Sequence, residues 1–159
     1  MPRSPRRKQK TLILPLLPRR RGVLFPYTSG PILVGRRTTL QAIAEVTGGD
    51  GMVAVVTQRD PALTEITQND VFGVATEGNI NRALRLPDGT TQVWVQGYRR
   101  LRILEFVADE PYYKARVEPI EEPADSSVQT EALKRAVLAL FEKVCRLAPS
   151  IAEETYIMA

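Results

Sequence analysis

Leu86-Pro87-Asp88-Gly89-Thr90-Thr91-Gln92-Val93-Trp94-Val95-Gln96-Gly97-Tyr98-Arg99-Arg100-Leu101-Arg102-Ile103 sets the fold class, because it joins a tight turn to a long alternating strand. Pro87 presets φ, and Asp88-Gly89 tolerates the left-handed backbone that a short hairpin turn needs. Beyond the turn, Val93, Val95, Leu101 and Ile103 can share one buried face, with Gly97 as the expected bulge or bend. Trp94 and Tyr98 then fall on the opposite face, beside Gln92 and Gln96.

Upstream, Val71–Leu86 contains the partner strand of this hairpin. Met52–Thr57 is a continuous apolar run of strand length, the pattern of a strand buried on both faces. Leu12-Ile13-Leu14 and Leu16-Leu17 predict a first strand, bent at Pro15. Phe25–Pro31 is read as a loop, Ile32–Val34 as a short extended piece, and Arg59–Asn69 as a polar connection. Downstream, Tyr112–Ile120 predicts a last strand with Ala115 and Val117 facing one way.

Two segments change period. Thr38 is a candidate cap for a short helix carrying Leu40, Ile43, Ala44 and Val46, which ends at Gly48-Gly49. Ser126 and Gln129 have capping-box spacing ahead of Leu133, Val137, Leu140, Phe141 and Val144, the stripe of an amphipathic helix. Pro149 stops that helix. Ser150 and Glu153 repeat the capping signal, so a second helix is expected near Ile151. The expected class is α+β, mostly β: a small curled sheet or partly open β-barrel with one short helix, then the start of an α-helical domain. The expected domains are a disordered basic leader over 1–10, a β-rich domain over 11–122, and a truncated helical domain over 123–159.

Composition excludes much chemistry. The chain has no histidine, which removes the commonest general base and the usual transition-metal ligand. One cysteine cannot form an internal disulfide, so a reducing, cytoplasmic setting is expected. Cys145 falls on the apolar helical stripe and reads as an inert core thiol. Gly30 and Gly35 have phosphate-loop spacing, but Arg36-Arg37 stands where Lys and Ser/Thr are needed. Glu77 is an isolated acid, and the acidic doublets Asp109-Glu110, Glu121-Glu122 and Glu153-Glu154 read as solvated ends. No run approaches the roughly 18 apolar residues of a membrane helix. The first 21 residues hold eight basic side chains and no acid, leaving 14 basic and 18 acidic residues in the rest.

Several segments, taken in order, resemble the N-terminal substrate-binding domain of Lon-family ATP-dependent proteases. They are Leu14-Pro15-Leu16-Leu17-Pro18-Arg19, Phe25-Pro26-Tyr27, Pro31-Ile32-Leu33-Val34-Gly35-Arg36 and Val56-Thr57-Gln58-Arg59-Asp60-Pro61. Leu86-Pro87-Asp88-Gly89-Thr90 with Val93, Val95, Gly97, Arg100, Arg102 and Ile103 completes the series, and Tyr112-Tyr113-Lys114-Ala115 also fits. The likeness runs from residue 12 to about 150. One departure stands out: Val74-Ala75-Thr76-Glu77-Gly78 replaces the family's VGTVA, with Glu77 at an apolar position.

The resemblance implies substrate recognition and subunit assembly for an ATP-dependent serine protease of protein quality control. Its partners would be unfolded or damaged proteins and the rest of an oligomeric parent. ATP, magnesium and the ATPase and peptidase residues would belong to the parent outside 1–159. No catalytic, cofactor or metal residue is expected here, and no membrane partner. The candidate substrate-binding residues are Trp94, Tyr98, Phe25 and Tyr27. Their alternative is structural: a loop or helix covers the outer-face aromatics, and Phe25–Tyr27 plugs the barrel end. The alternative function is a nucleic-acid-binding β-barrel module that uses the basic leader.

Overall fold

The structure is a computed structural model, and it describes residues 11–122 and 127–147. Its elements are β1 (Leu12–Arg19), β2 (Ser29–Val34), α1 (Arg37–Thr47), β3 (Met52–Thr57), β4 (Val74–Arg85), β5 (Thr91–Ala108), β6 (Lys114–Pro119) and α2 (Val128–Leu147). A short 3-10 turn, Gln68–Asp70, precedes β4. The chain divides into two compact units between Glu121 and Glu122. The expected leader over 1–10, the Ser126 cap and the second helix near Ile151 lie outside the described residues.

The first unit is one sheet in the order β2-β5-β4-β3-β1-β6, and β5 also pairs with β6. Five strands therefore close into a ring, with β2 attached outside it. The ring is not a regular barrel, because its strands change partners along their length. β1 pairs antiparallel with β6 up to Pro15, then parallel with β3 from Leu16. Proline suits that changeover because it has no N–H to give to a ladder. β5 spans the whole assembly. Residues Thr91–Gln96 lie between β2 and β4, whereas Leu101–Ala108 carries the pairing to β6.

The Pro87–Thr90 turn forms as expected. Gly89 has φ +84°. Asp88 Oδ1 accepts hydrogen bonds from the Thr90 N–H at 2.9 Å and the Thr90 hydroxyl at 2.6 Å. β3 is buried on both sides, as its unbroken apolar run predicts. Ala54 and Val56 face one core with Leu16, Leu101, Ile103, Ala115 and Val117. Val53 and Val55 face a second core with Leu17, Ile32, Ile43, Val46, Val93 and Val95. The second core is closed by α1, whose Thr39, Ala42, Ile43 and Val46 are buried.

Several expectations need correction. Val93, Val95, Leu101 and Ile103 are all buried but divide between the two cores. The division follows from a bulge: Thr76 pairs with Arg100 and Gly78 with Gly97, so Tyr98 and Arg99 together oppose Glu77. The extra residue thus sits just after Gly97 and redirects the strand. Thr38 is not a cap; Arg36 is the residue before α1, and no side chain caps that end. Ala44 is exposed. In the second unit the Thr130 N–H donates to the Ser127 hydroxyl at 3.2 Å. None of the described α2 residues is buried, so Cys145 is half-buried on the helix and not a core thiol.

Candidate polypeptide-binding face

The section β2–β5–β4 carries an apolar outer surface. Val93 and Val95 point into the second core, so Trp94 between them stands on the other side. Across the strands Trp94 lies between Pro31 of β2 and Arg82 of β4. The neighbouring row is Leu33, Gln92 and Leu84. Directly opposite and diagonal residues on a sheet face lie within side-chain reach. Trp94 is 46% exposed, Leu33 64% and Leu84 47%, so the four-residue patch of Pro31, Leu33, Leu84 and Trp94 is open. Leu33 and Leu84 were not singled out in the sequence. Their signal was the pairing register, which puts them on the Trp94 face only once β2 is known to lie beside β5.

The aromatic loop is fastened to the same strand. The Gly97 N–H donates to the Thr28 carbonyl at 2.8 Å, and the Tyr27 N–H donates to the Gly97 carbonyl at 3.0 Å. The Thr76 hydroxyl donates to the Leu24 carbonyl at 2.6 Å. A Cβ on residue 97 would lie 2.6 Å from the Phe25 carbonyl oxygen, so only glycine allows this approach. The Phe25 carbonyl therefore lies against Gly97 on the side of β5 that Val93 and Val95 face, opposite Trp94, and the Tyr27 backbone pairs with Gly97 itself. Tyr27 has φ +62° and is 82% exposed. A bulky side chain in the left-handed region costs about 1–3 kcal/mol, and such strain concentrates at functional sites.

Phe25 is not a plug of the ring. It is 56% exposed and lines a shallow cavity of about 210 Å³ with Val23, Pro26, Phe72 and Val74. The Arg59 guanidinium lies 4.8 Å from the Phe72 ring centre, a cation–π contact on the same rim. Tyr98 is 43% exposed. Among the described residues of the first unit, no loop or helix buries Trp94, Tyr98, Phe25 or Tyr27.

Glu77 is not an isolated acid. It is 6% exposed and receives two bonds from Arg99, Nε at 2.5 Å and Nη2 at 3.2 Å. The bulge places the guanidinium there, which explains how a carboxylate occupies an apolar position. Among the described residues no group of three or more His, Cys, Asp or Glu could hold a metal ion, and no helix is long and apolar enough to cross a membrane.

Comparison with known proteins agrees with this architecture. A family model for the ATP-dependent protease La (LON) substrate-binding domain matches residues 13–159. The chain is 37% identical over 147 residues to a Lon protease of Dictyoglomus thermophilum, covering 92% of this chain and 18% of that protein. It is 39% identical over 149 residues to Lon protease 2 of Herpetosiphon aurantiacus, covering 94% and 18%. It thus spans about a fifth of the length of these relatives. Among solved structures, the fold resembles the Lon N-terminal domain protein from Xanthomonas campestris, with TM-score 0.61, 22% identity, and coverage of 86% of this chain and 74% of that one. It also resembles the N-terminal domain of Mycobacterium avium complex Lon protease, with TM-score 0.65, 20% identity, and coverage of 85% and 68%. The chain belongs to the ATP-dependent protease La (LON) substrate-binding domain family.

Proposed function

We propose that this domain recruits unfolded or damaged polypeptides to an ATP-dependent serine protease by holding them on the outer face of β2–β5–β4. The observation that carries the reading is the open patch of Trp94 with Leu33, Leu84 and Pro31, beside the strained loop bearing Phe25 and Tyr27. Contiguous exposed apolar surface is where a soluble domain meets a partner, and aromatic anchors dominate such contacts. An unfolded segment offers apolar side chains without fixed shape, so a shallow surface suits it better than a deep pocket.

The wider setting follows from the family. Nucleotide hydrolysis with ATP and magnesium, and peptide cleavage, would lie on parts of an oligomeric cytoplasmic parent outside residues 1–159. This domain would supply recognition and assembly. On the paired strands the base directly opposite Trp94 is Arg82; the alternative reading, nucleic-acid binding through residues 1–10, concerns residues outside those described.

The reading is tested with a permanently unfolded, reduced and alkylated model protein. Trp94→Ser with Leu33→Ser should weaken its binding to this chain by about tenfold or more, given that each buried anchor contributes above about 1 kcal/mol. Both positions face outward, so the melting temperature should hardly change. Unaltered affinity in the double variant would contradict the assignment.

A further inference from the structure

The first unit has a second surface feature, an open cleft of about 970 Å³. One wall is Arg19, Arg20 and Arg21, at the end of β1 and just beyond it; another is the start of α1 with Arg36 and Arg37. Among the described residues none of these five guanidiniums lies within 4.0 Å of a carboxylate, although Glu65, Asp109 and Glu110 also line the cleft. Five like charges gathered in one concavity repel one another and attract an anion.

The floor of the cleft is underused. Arg36 Nη2 donates to Gln58 Oε1 at 2.6 Å and to the Leu63 carbonyl at 2.8 Å. Its Nε and Nη1 are buried without a hydrogen-bond partner. Thr39, 2% exposed, lines the same cleft with an unpartnered hydroxyl. Burying donors without acceptors is costly, so these groups point to a missing acceptor. Burial, then the charge of Arg20, holds the Arg36 guanidinium below its ordinary pKa, with Tyr113 acting the other way. The start of α1 has neither a side-chain cap nor an acid in its first turn. Its free N–H groups and dipole favour negative charge there.

We propose that this cleft binds a phosphate group, seated on the first turn of α1 between Arg36 and Arg37, with Arg19, Arg20 and Arg21 supplying the surrounding positive field. A phosphate offers several acceptor oxygens and more than one charge, matching the paired guanidinium nitrogens, the Thr39 hydroxyl and the helix amides together. The three carboxylates on the walls limit the ligand. They repel neighbouring phosphates, so a compact phosphate is accepted and an extended nucleic-acid backbone is not. The group is either free phosphate or phosphate carried on a protein side chain.

The 159-residue chain, labelled with nitrogen-15, would be titrated with inorganic phosphate and separately with a short phosphoserine peptide. Chloride at matched ionic strength is the control. Saturable shifts at the amides of Arg37, Thr38 and Thr39 are expected. Saturation by inorganic phosphate identifies a free-anion site; saturation by the peptide alone identifies a phosphoprotein site. Arg37→Gln, at an exposed position without packing duties, should weaken binding about tenfold, the loss of one charge-assisted hydrogen bond. Thr39→Val should weaken it too without removing the arginines. Arg36→Gln is a poorer test, because Arg36 also ties down Gln58 and Leu63. Shifts equal to those in chloride, undiminished binding by both variants, or a short RNA shifting these amides when neither phosphate probe does would overturn the proposal.

Discussion

Glu77 and Arg99 show how one residue's environment reverses its apparent meaning. A carboxylate inside a β-ring is costly unless paired, and the fork from Arg99 pairs it. The two partners are unequal: the Glu77 side chain is 8% exposed and that of Arg99 49%. Removing Arg99 therefore strands a buried charge, whereas solvent softens the effect. Arg99→Ala should lower stability by about 1–3 kcal/mol, below the full cost of breaking a wholly buried pair. Glu77→Val combined with Arg99→Val should recover most of the loss, since position 77 is apolar in the family pattern. Denaturant melts of the two variants decide this. A single variant as stable as wild type would mean the pair holds nothing in place.

At the scale of elements, β5 and the loop before β2 form one device. The loop reaches Gly97 because no Cβ stands in its path. Gly97→Ala brings a methyl carbon to 2.6 Å from the Phe25 carbonyl and 3.3 Å from Thr76 Cγ2. Either backbone must move, at a cost of about 1–3 kcal/mol. The melting temperature should fall by several degrees, and affinity for unfolded protein should drop because Phe25 and Tyr27 lose their seat. An unchanged melt would show that the loop is not held there. Elements of this kind divide by how local their causes are. The Asp88-Gly89 turn, the alternation of Val93 and Val95 about Trp94 and the burial of β3 rest on neighbours in sequence and were legible; the parting of Val93 and Val95 from Leu101 and Ile103 into two cores was not, because it depends on the bulge after Gly97. For the candidate site only exposure was legible: Trp94, Tyr98, Phe25 and Tyr27 are all open to solvent. Leu33 and Leu84 were not found, because their place beside Trp94 depends on which strand β2 joins. The start of α1 was misread because its cap, Arg36, has no side-chain signature, and the pairing of Glu77 needed the bulge that opposes Tyr98 and Arg99 to it.

At the scale of the molecule, the ring supplies rigidity and leaves its chemistry outside. Two cores meet across β3 and β1, so Leu16 and Leu17, adjacent in sequence, are buried in different places. That arrangement uses nearly every inward residue for packing and leaves the Trp94 face of β2–β5–β4 open. Trp94 is the only tryptophan in the chain, so its fluorescence reports this face alone. The most direct test adds a tryptophan-free, permanently unfolded polypeptide and follows Trp94 emission and its quenching by acrylamide. Recruitment through this face predicts a shift of the emission to shorter wavelength and reduced quenching, both saturating with the binding curve. Binding that saturates while Trp94 emission and quenching stay as in the free chain would contradict it.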